Sequence, residues 1–326
     1  MAKIAFTSDL HVNKELLRLT ECLNFLDYLE NYCKENDIHY IVFGGDLFHT
    51  SNNIRNQMFI PFFNKLFELK QKGFELIIFP GNHDIQNTDN DCLAEAFKSF
   101  AHFIKKSETI NIDGVDYDFL AYTQNPAEIP NKGQVLFTHL EVDGYMFNPY
   151  QKCEDKTFTE DSFENYDLVI SGHIHKMQEG KKVVFPGSPY STRKDEAGNH
   201  YFCVIDGTDY ELVDYNEAPE YMTITIEEAL ENKDIDYSNK IVEVEIGSKI
   251  ESWVKLRDII IKRGAIEVSP KFIKSEESVD IGNHKINTDE GVTVSFTKYL
   301  TETKKSDIDN SLLLDCFKNV LKRIGN

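Results

Sequence analysis

Apolar and polar positions along the chain switch between a period of two and a period of about 3.6 residues, and the switches mark out the elements. Apolar runs at 3–7, 39–43 and 75–79 read as buried strands, rich in β-branched and aromatic residues and closed by Ser, Gly or Pro. Helical stretches lie between them. Leu16, Leu19, Leu23, Leu26, Leu29 and Cys33 recur at helical spacing. The stretch 56–70 does the same, and its stripe Met58, Phe59, Phe62, Phe63 and Leu66 suits either core packing or contact with a second copy. A third helix is expected over 91–105, a hairpin turn at Asp113-Gly114, and further strands at 134–138, 168–171, 183–185 and 201–205. Strand and helix alternating in this way imply a layered α/β domain. After Asp214 the pattern changes. Ala218-Pro219 reads as a linker, and a strand at 240–246, a helix at 252–262 and a strand at 265–273 make a small α/β unit. Residues 275–293 are polar and irregular, and 307–324 reads as an amphipathic helix. The expected division is a main domain over 1–216, a small second domain over 220–275, and a linker with a C-terminal helix over 276–326.

Composition narrows the class. Hydrophobic residues make up 41% of the chain, with 23 Phe and 15 Tyr, ample for a packed core. No apolar run approaches the roughly 18 residues of a membrane span. Met1 to Phe6 lacks the charged-then-apolar order of a signal peptide, so a cytoplasmic protein without membrane contact is expected. Cysteines stand at 22, 33, 92, 153, 203 and 316 with no Cys-x-x-Cys pair, and read as reduced, mostly buried thiols. The net charge of −20 weighs against nucleic-acid binding unless cations and a local basic patch hold the phosphates. One such patch exists: Lys240 to Lys274 carries eight Lys or Arg against five acids, a local net of +3. Lys255, Arg257, Lys262, Arg263 and Lys271 within it, with Arg193 and Lys194 before it, are the candidate phosphate contacts.

Five polar clusters carry the chemistry: Asp9-Leu10-His11, Gly45-Asp46-Leu47-Phe48-His49, Gly81-Asn82-His83-Asp84, Thr138-His139, and Gly172-His173-Ile174-His175. Each follows an expected strand, and in open α/β sheets sites gather at the carboxyl ends of strands. Residues two apart in extended backbone point the same way, so Asp9 with His11, and His173 with His175, can face one ion together. Asp46 can bridge two cations through its two oxygens, and Asn82 offers a neutral oxygen. Mixed imidazole, carboxylate and amide ligands suit Mn²⁺, Fe²⁺ or Zn²⁺ better than Ca²⁺.

In this order, the clusters resemble the signature of calcineurin-like metallophosphoesterases over residues 3 to 206. The resemblance implies a β-sandwich flanked by helices, with Asp9, His11, Asp46 and His175 on one metal and Asp46, Asn82, His139 and His173 on a second. It makes His83 the group that protonates or steadies the phosphate or leaving oxygen, oriented by Asp84 or His49. Gly45 to His49, and Phe185-Pro186-Gly187-Ser188-Pro189 soon after His175, are similar to the SbcD-type nuclease subunit of double-strand-break repair complexes. That likeness implies two Mn²⁺ ions, cutting of duplex DNA ends and hairpins, a capping, DNA-binding domain over 220–275, a C-terminal segment within 276–326 that docks on an SMC-like ATPase partner of the SbcC type, and a homodimer. His49 would then help handle DNA ends. The short, acidic chain fits a compact, virus-encoded member. Two other readings stay open: a small-substrate phosphodiesterase or phosphatase with the same metals, and a non-catalytic scaffold that kept the fold.

Overall fold

A computed structural model of the chain describes residues 2–272 except 14, 52, 53, 88, 197, 233 and 247–252. In chain order its first elements are β1 (Lys3–Thr7), α1 (Leu16–Glu35), β2 (Tyr40–Gly44), α2 (Asn56–Gln71), β3 (Glu75–Phe79) and β4 (His102–Phe103). They continue with β5 (Ser107–Ile112), β6 (Val115–Leu120), β7 (Val135–Thr138), β8 (Met146–Asn148), β9 (Gln151–Lys152) and β10 (Leu168–Ser171). After these come β11 (Gln178–Glu179), β12 (Val183–Phe185), β13 (Tyr201–Asp206) and β14 (Asp209–Asp214). The last are β15 (Glu220–Thr225), α3 (Ile226–Glu231), β16 (Lys240–Ile246), α4 (Trp253–Lys262) and β17 (Glu267–Phe272).

Two mixed sheets form a sandwich, with strand orders β14-β13-β1-β2-β3-β4 and β11-β12-β10-β7-β6-β5. Side chains alternate across each strand, and both faces are apolar because both are covered. Ile4, Phe6, Val42, Ile77 and Phe79 of the first sheet meet Phe119, Val135, Phe137 and Ile170 of the second in the inter-sheet core. Ala5, Ile41, Phe43, Leu76 and Ile78 point the other way, into a core closed by α1 and α2. Leu136, Val169 and Phe185 form the outer core of the second sheet. The stripe on α2 is core packing for Met58, Phe62 and Leu66, whereas Phe59 and Phe63 are half-buried against the same cluster.

The third sheet, β15-β16-β17, carries α3 and α4 around its own small core of Val242, Val244, Leu256 and Ile260. Met1–Lys271 group into one compact unit and Phe272–Asn326 into a second, of which only Phe272 is described. The helix expected over 307–324 lies outside the described residues, as does Cys316. Cys22, Cys33, Cys153 and Cys203 are buried free thiols, and Cys92 is half-buried and free.

The helix expected over 91–105 does not form. A 3₁₀ turn over Leu93–Ser99 is followed by β4, which pairs in parallel with β3 through Ile77 and His102. Phe97 explains the break: its ring packs among Phe48, Phe59, Phe62, Phe63 and Phe100, and seating it there outweighs helical periodicity. Among the described residues no helix is long and apolar enough to cross a membrane.

Candidate metal centre

Strands β1, β2 and β3 run parallel in one sheet, and β7 and β10 run parallel in the other. Their carboxyl ends deliver all five clusters to one place. Four of the delivered residues have left-handed backbone: Asp9 (φ 58°), His11 (φ 45°), Asp46 (φ 52°) and His173 (φ 83°). Each such non-glycine position costs about 1–3 kcal/mol and persists where the surroundings over-determine it. Gly45 (φ +90°) fits because a Cβ there would stand 2.6 Å from His139 Nδ1 and 2.7 Å from the Gly81 nitrogen.

The side chains converge on two buried carboxylates. Asp46 Oδ2 lies 3.3 Å from His139 Nε2 and 3.6 Å from His11 Nε2. Asp9 Oδ1 lies 3.6 Å from His175 Nε2 and 3.9 Å from both His11 Nε2 and His139 Nε2. Thus Asp9, as well as Asp46, faces both sets of imidazoles. Asn82 Oδ1 sits 2.8 Å from His173 Nδ1 and 3.2 Å from His139 Nε2. Ligand atoms of Asp9, His11 and His175 form one compact group, and those of Asp9, Asp46 and His139 another.

Outer hydrogen bonds aim these atoms. His139 Nδ1–H donates to the Gly44 carbonyl at 2.8 Å, which turns its Nε2 toward Asp46. The His173 N–H donates to the Asp9 carboxylate at 3.1 and 3.2 Å, and the His83 N–H donates to Asp46 Oδ1 at 2.9 Å. The Ser188 N–H of the Phe-Pro-Gly-Ser-Pro turn donates to the His175 carbonyl at 3.0 Å, so that turn braces the last cluster. Burial opposes charge on His139, yet Asp46 and Asp9 outweigh it and hold its pKa up at about 9. Burial pushes His11 well down against the pull of Asp46, and His175, His83 and His49 push it further. Burial disfavours the Asp46 anion, but His139 and His11 keep its pKa far below the usual range.

This donor set fits divalent cations. His11 Nε2 and His175 Nε2 face each other at 3.0 Å beside the Asp9 and Asp46 carboxylates. Acceptors crowd a buried space that a cation would satisfy. Two clusters of this kind suit a dimetal centre.

His83 stands at the rim. Its Nδ1 lies 2.8 Å from the His49 backbone carbonyl, and its ring stacks on His49 at 5.5 Å. Of the two expected partners, His49 is therefore the one that contacts His83, through its backbone carbonyl and its stacked ring. Asp84 instead accepts from the N–H groups of Phe48 (3.0 Å), Gly81 (3.0 Å) and Leu47 (3.2 Å), and so ties two site loops together. Burial, with Asp46 nearby, pushes its pKa up to about 7. The His49 pKa is lowered by burial, then by His83 and Arg193.

A cavity of 270 Å³ opens over the centre, lined by His11, Asp46, His49, His83, His173 and Arg193 among others. Arg193 is thus the candidate phosphate contact that reaches the site. Lys194 is paired with Glu243 instead. Lys255, Arg257 and Lys262 are exposed on α4, away from the lining of this cavity. Arg263 donates to the Ile235 carbonyl at 2.9 Å and lies over Tyr237, and Lys271 pairs with Glu245 at 2.8 Å. Sequence reasoning missed Glu196, in the 3₁₀ turn Lys194–Glu196, and Thr192 just before it; both contact His175 from a segment with no motif of its own.

Sandwich and centre together define a metal-dependent phosphoesterase. The chain belongs to the calcineurin-like phosphoesterase family, whose model matches residues 2–177. It is 23% identical over 307 residues to a protein of Invertebrate iridescent virus 6 named as a putative phosphoesterase, covering 84% of this chain and 98% of that one. It is 25% identical over 191 residues to exonuclease subunit 1 of Enterobacteria phage T4, covering 54% of this chain and 55% of the phage protein. Among solved structures, it is similar to a dimetal phosphatase from Danio rerio at 9% identity and a TM-score of 0.40, covering 66% of this chain and 99% of that one.

Proposed function

We propose that the protein is a Mn²⁺-dependent nuclease subunit that hydrolyses phosphodiester bonds at DNA ends, working with an SMC-like ATPase in DNA repair or recombination. The observation that carries the hydrolytic part is the pair of buried carboxylates, Asp9 and Asp46, each within 3.9 Å of imidazole nitrogens from both sheets. Asp9, His11 and His175 would hold one cation, and Asp46, Asn82, His139 and His173 the second, with both carboxylates facing each. Bound divalent ions supply Lewis acidity that lowers the pKa of water from near 15.7 toward roughly 7 and neutralises charge on the phosphate.

The chain's own residues do the rest. The His49 carbonyl fixes the Nδ1–H of His83, so its Nε2 is the atom left to serve a phosphate or leaving oxygen. In the doubly protonated form that nitrogen is a hydrogen-bond and proton donor. Arg193 lines the same cavity and supplies a fixed positive charge for a phosphate. DNA as substrate is supported by the likeness to a phage exonuclease subunit, by the Gly45 to His49 motif, and by Lys255, Arg257 and Lys262, which are exposed on α4. The ATPase partner rests on the motif resemblance alone.

The test compares Mn²⁺-dependent release of nucleotides from duplex DNA with hydrolysis of bis-p-nitrophenyl phosphate. Release from DNA that is lost in Asp46→Ala supports the proposal. Turnover of the small ester with intact DNA would point to a small-substrate phosphodiesterase.

A further inference from the structure

Glu196 belongs to none of the five clusters, yet it reaches the centre. Its Oε1 accepts the Nδ1–H of His175 at 2.6 Å. The same carboxylate accepts the N–H of Thr192 at 2.6 Å, the N–H of Arg193 at 3.0 Å, and the Thr192 hydroxyl at 2.8 Å. Its side chain is only 11% exposed. The turn is also gripped from α1. Arg18 Nη1 donates to the Ser191 carbonyl and to Glu21, each at 2.6 Å, and Nη2 donates to the Thr192 carbonyl at 3.4 Å and to the Tyr221 hydroxyl on β15. One buried guanidinium therefore joins the turn that carries Glu196 to the three-stranded sheet. The Lys194–Glu243 pair makes a second link from that turn to β16.

We propose that Glu196 is the positioning residue of His175, and that the Arg18–Tyr221 strut couples its placement to the seating of the three-stranded sheet. This rests on the metal-centre reading given above. A carboxylate accepting Nδ1–H keeps the lone pair on Nε2, the atom that faces Asp9 and His11, and raises its basicity as a ligand. The turn is a three-residue 3₁₀ segment, Lys194–Glu196, with exposed Arg193 and Lys194, and it is held from outside by Arg18, by Glu243 and by the His200 bond to Ser191. Arg18 is the buried anchor, so a shift of β15 is passed to the Ser191 and Thr192 carbonyls and from there to Glu196.

The experiment is Mn²⁺ titration of the full chain, without DNA, by calorimetry and by electron paramagnetic resonance of the bound ion. Glu196→Gln is expected to weaken one of two ions by about 10–100-fold and to leave the other within about twofold. In a His175→Ala background the same substitution is expected to add nothing, because its effect passes through that imidazole. Tyr221→Phe removes the hydroxyl that Arg18 donates to and leaves the Lys194–Glu243 pair in place, and is expected to weaken the same ion by roughly threefold with an unchanged melting temperature. Should Glu196→Gln fail to fold, Glu196→Asp withdraws the carboxylate by one methylene and reads the same quantity. Two sites unmoved by either Glu196 variant, or a loss that adds to that of His175→Ala, overturn the positioning role. An unmoved Tyr221→Phe overturns the coupling. A wild-type chain that takes up no Mn²⁺ overturns the metal-centre reading and this proposal with it.

Discussion

The imidazole of His83 is anchored through Nδ1 to the backbone carbonyl of His49 at 2.8 Å, while the two rings stack at an interplanar angle of 23°. The hydrogen-bonded anchor of His83 is thus a backbone group that survives substitution at 49, although the stacking contact of the His49 ring does not. On a small phosphodiester, His49→Ala is expected to lower turnover by less than about tenfold. His83→Gln is expected to lower it by about 10²–10⁴-fold, the usual range for a lost proton donor. Both variants should keep full metal content. Initial rates at saturating Mn²⁺, paired with elemental analysis, check this; equal losses in the two would mean that the carbonyl is not the anchor that matters.

Metal uptake should release a proton. In the cation-free chain Asp46 and Asp9 outweigh burial and hold the His139 pKa up at about 9, so this imidazole is protonated at neutral pH. Its Nδ1–H is committed to the Gly44 carbonyl, so the labile proton sits on Nε2, the nitrogen a cation would take. Affinity for Mn²⁺ is therefore expected to rise with pH between about 6 and 9, close to tenfold per unit for one proton displaced. Calorimetry in buffers of different ionisation enthalpy counts the proton directly. In His139→Asn the pH dependence should flatten. Asp46→Ala is expected to lose both the metal and the elevated His139 pKa.

Asp84 and His83 are neighbours in sequence with separate roles. The Asp84 carboxylate is buried and accepts three backbone N–H groups from the two loops that carry Asp46 and Asn82. Asp84→Ala leaves those donors unpaired, at about 1–3 kcal/mol each where water cannot reach them. The expected outcome is a loss of at least ~3 kcal/mol in denaturant unfolding, accompanied by weaker metal binding. Asp84→Asn, which keeps acceptor capacity on one oxygen, should lose roughly half as much.

The legible parts of this molecule were those in which local pattern and tertiary role agree. Strands β1, β2 and β3 alternate between two apolar cores, so their apolar runs and terminal glycines or polar residues mark a layered α/β domain and the ends at which Asp9, Asp46 and Asn82 emerge, whereas the sandwich was implied by the motif resemblance. Where a long-range partner decides, pattern failed. Phe97 reads as one more apolar position in a helix over 91–105, but its place is in an aromatic cluster with Phe48 and Phe62, and the chain turns to put it there. Strand β14 is acidic and its side chains are mostly exposed, so it gave no apolar alternation to read. Glu196 was invisible because its partner, His175, lies 21 residues away and its own segment has no periodicity. Nothing in the run Thr192 to Glu196 distinguishes a ligand's support from an ordinary polar turn.

A charge cluster around the buried Glu30 of α1 gives a stability test that uses no residue of the centre. Glu30 is 4% exposed and accepts from Lys34 at 2.5 Å and from Lys65 and Lys72 at 2.7 Å each. Burial alone would raise its pKa, but the three lysines together bring it down to about 2. A folded-state pKa below the unfolded value of about 4.3 means the carboxylate stabilises the fold above that value, and the contribution fades as pH falls toward 2. Glu30→Gln is expected to cost about 2 kcal/mol at pH 7, as lost hydrogen bonds to charged partners do. The gap between variant and wild type should close between about pH 4 and pH 2, which chemical denaturation at stepped pH would reveal. A gap that stays constant over that window would assign the loss to packing.

The exposed cations of α4 test the proposed substrate separately from the metal chemistry. Lys255, Arg257 and Lys262 are exposed, while Lys240, Arg263 and Lys271 are engaged by Glu220, by Tyr237 with the Ile235 carbonyl, and by Glu245. If the first three meet DNA phosphates, each contact releases counterions and adds about 0.9 to the slope of log affinity against log salt on duplex DNA. The triple substitution Lys255→Gln, Arg257→Gln and Lys262→Gln is then expected to reduce that slope by roughly 2–3. The loss of affinity should be large at low salt and small at high salt. Hydrolysis of bis-p-nitrophenyl phosphate should not change, because these side chains do not line the cavity over the centre. An unaltered salt slope with normal DNA cleavage would remove α4 from the substrate path and leave Arg193 as the protein's phosphate contact. Equal loss on the small ester would mean that the substitutions disturb the fold and not a DNA surface.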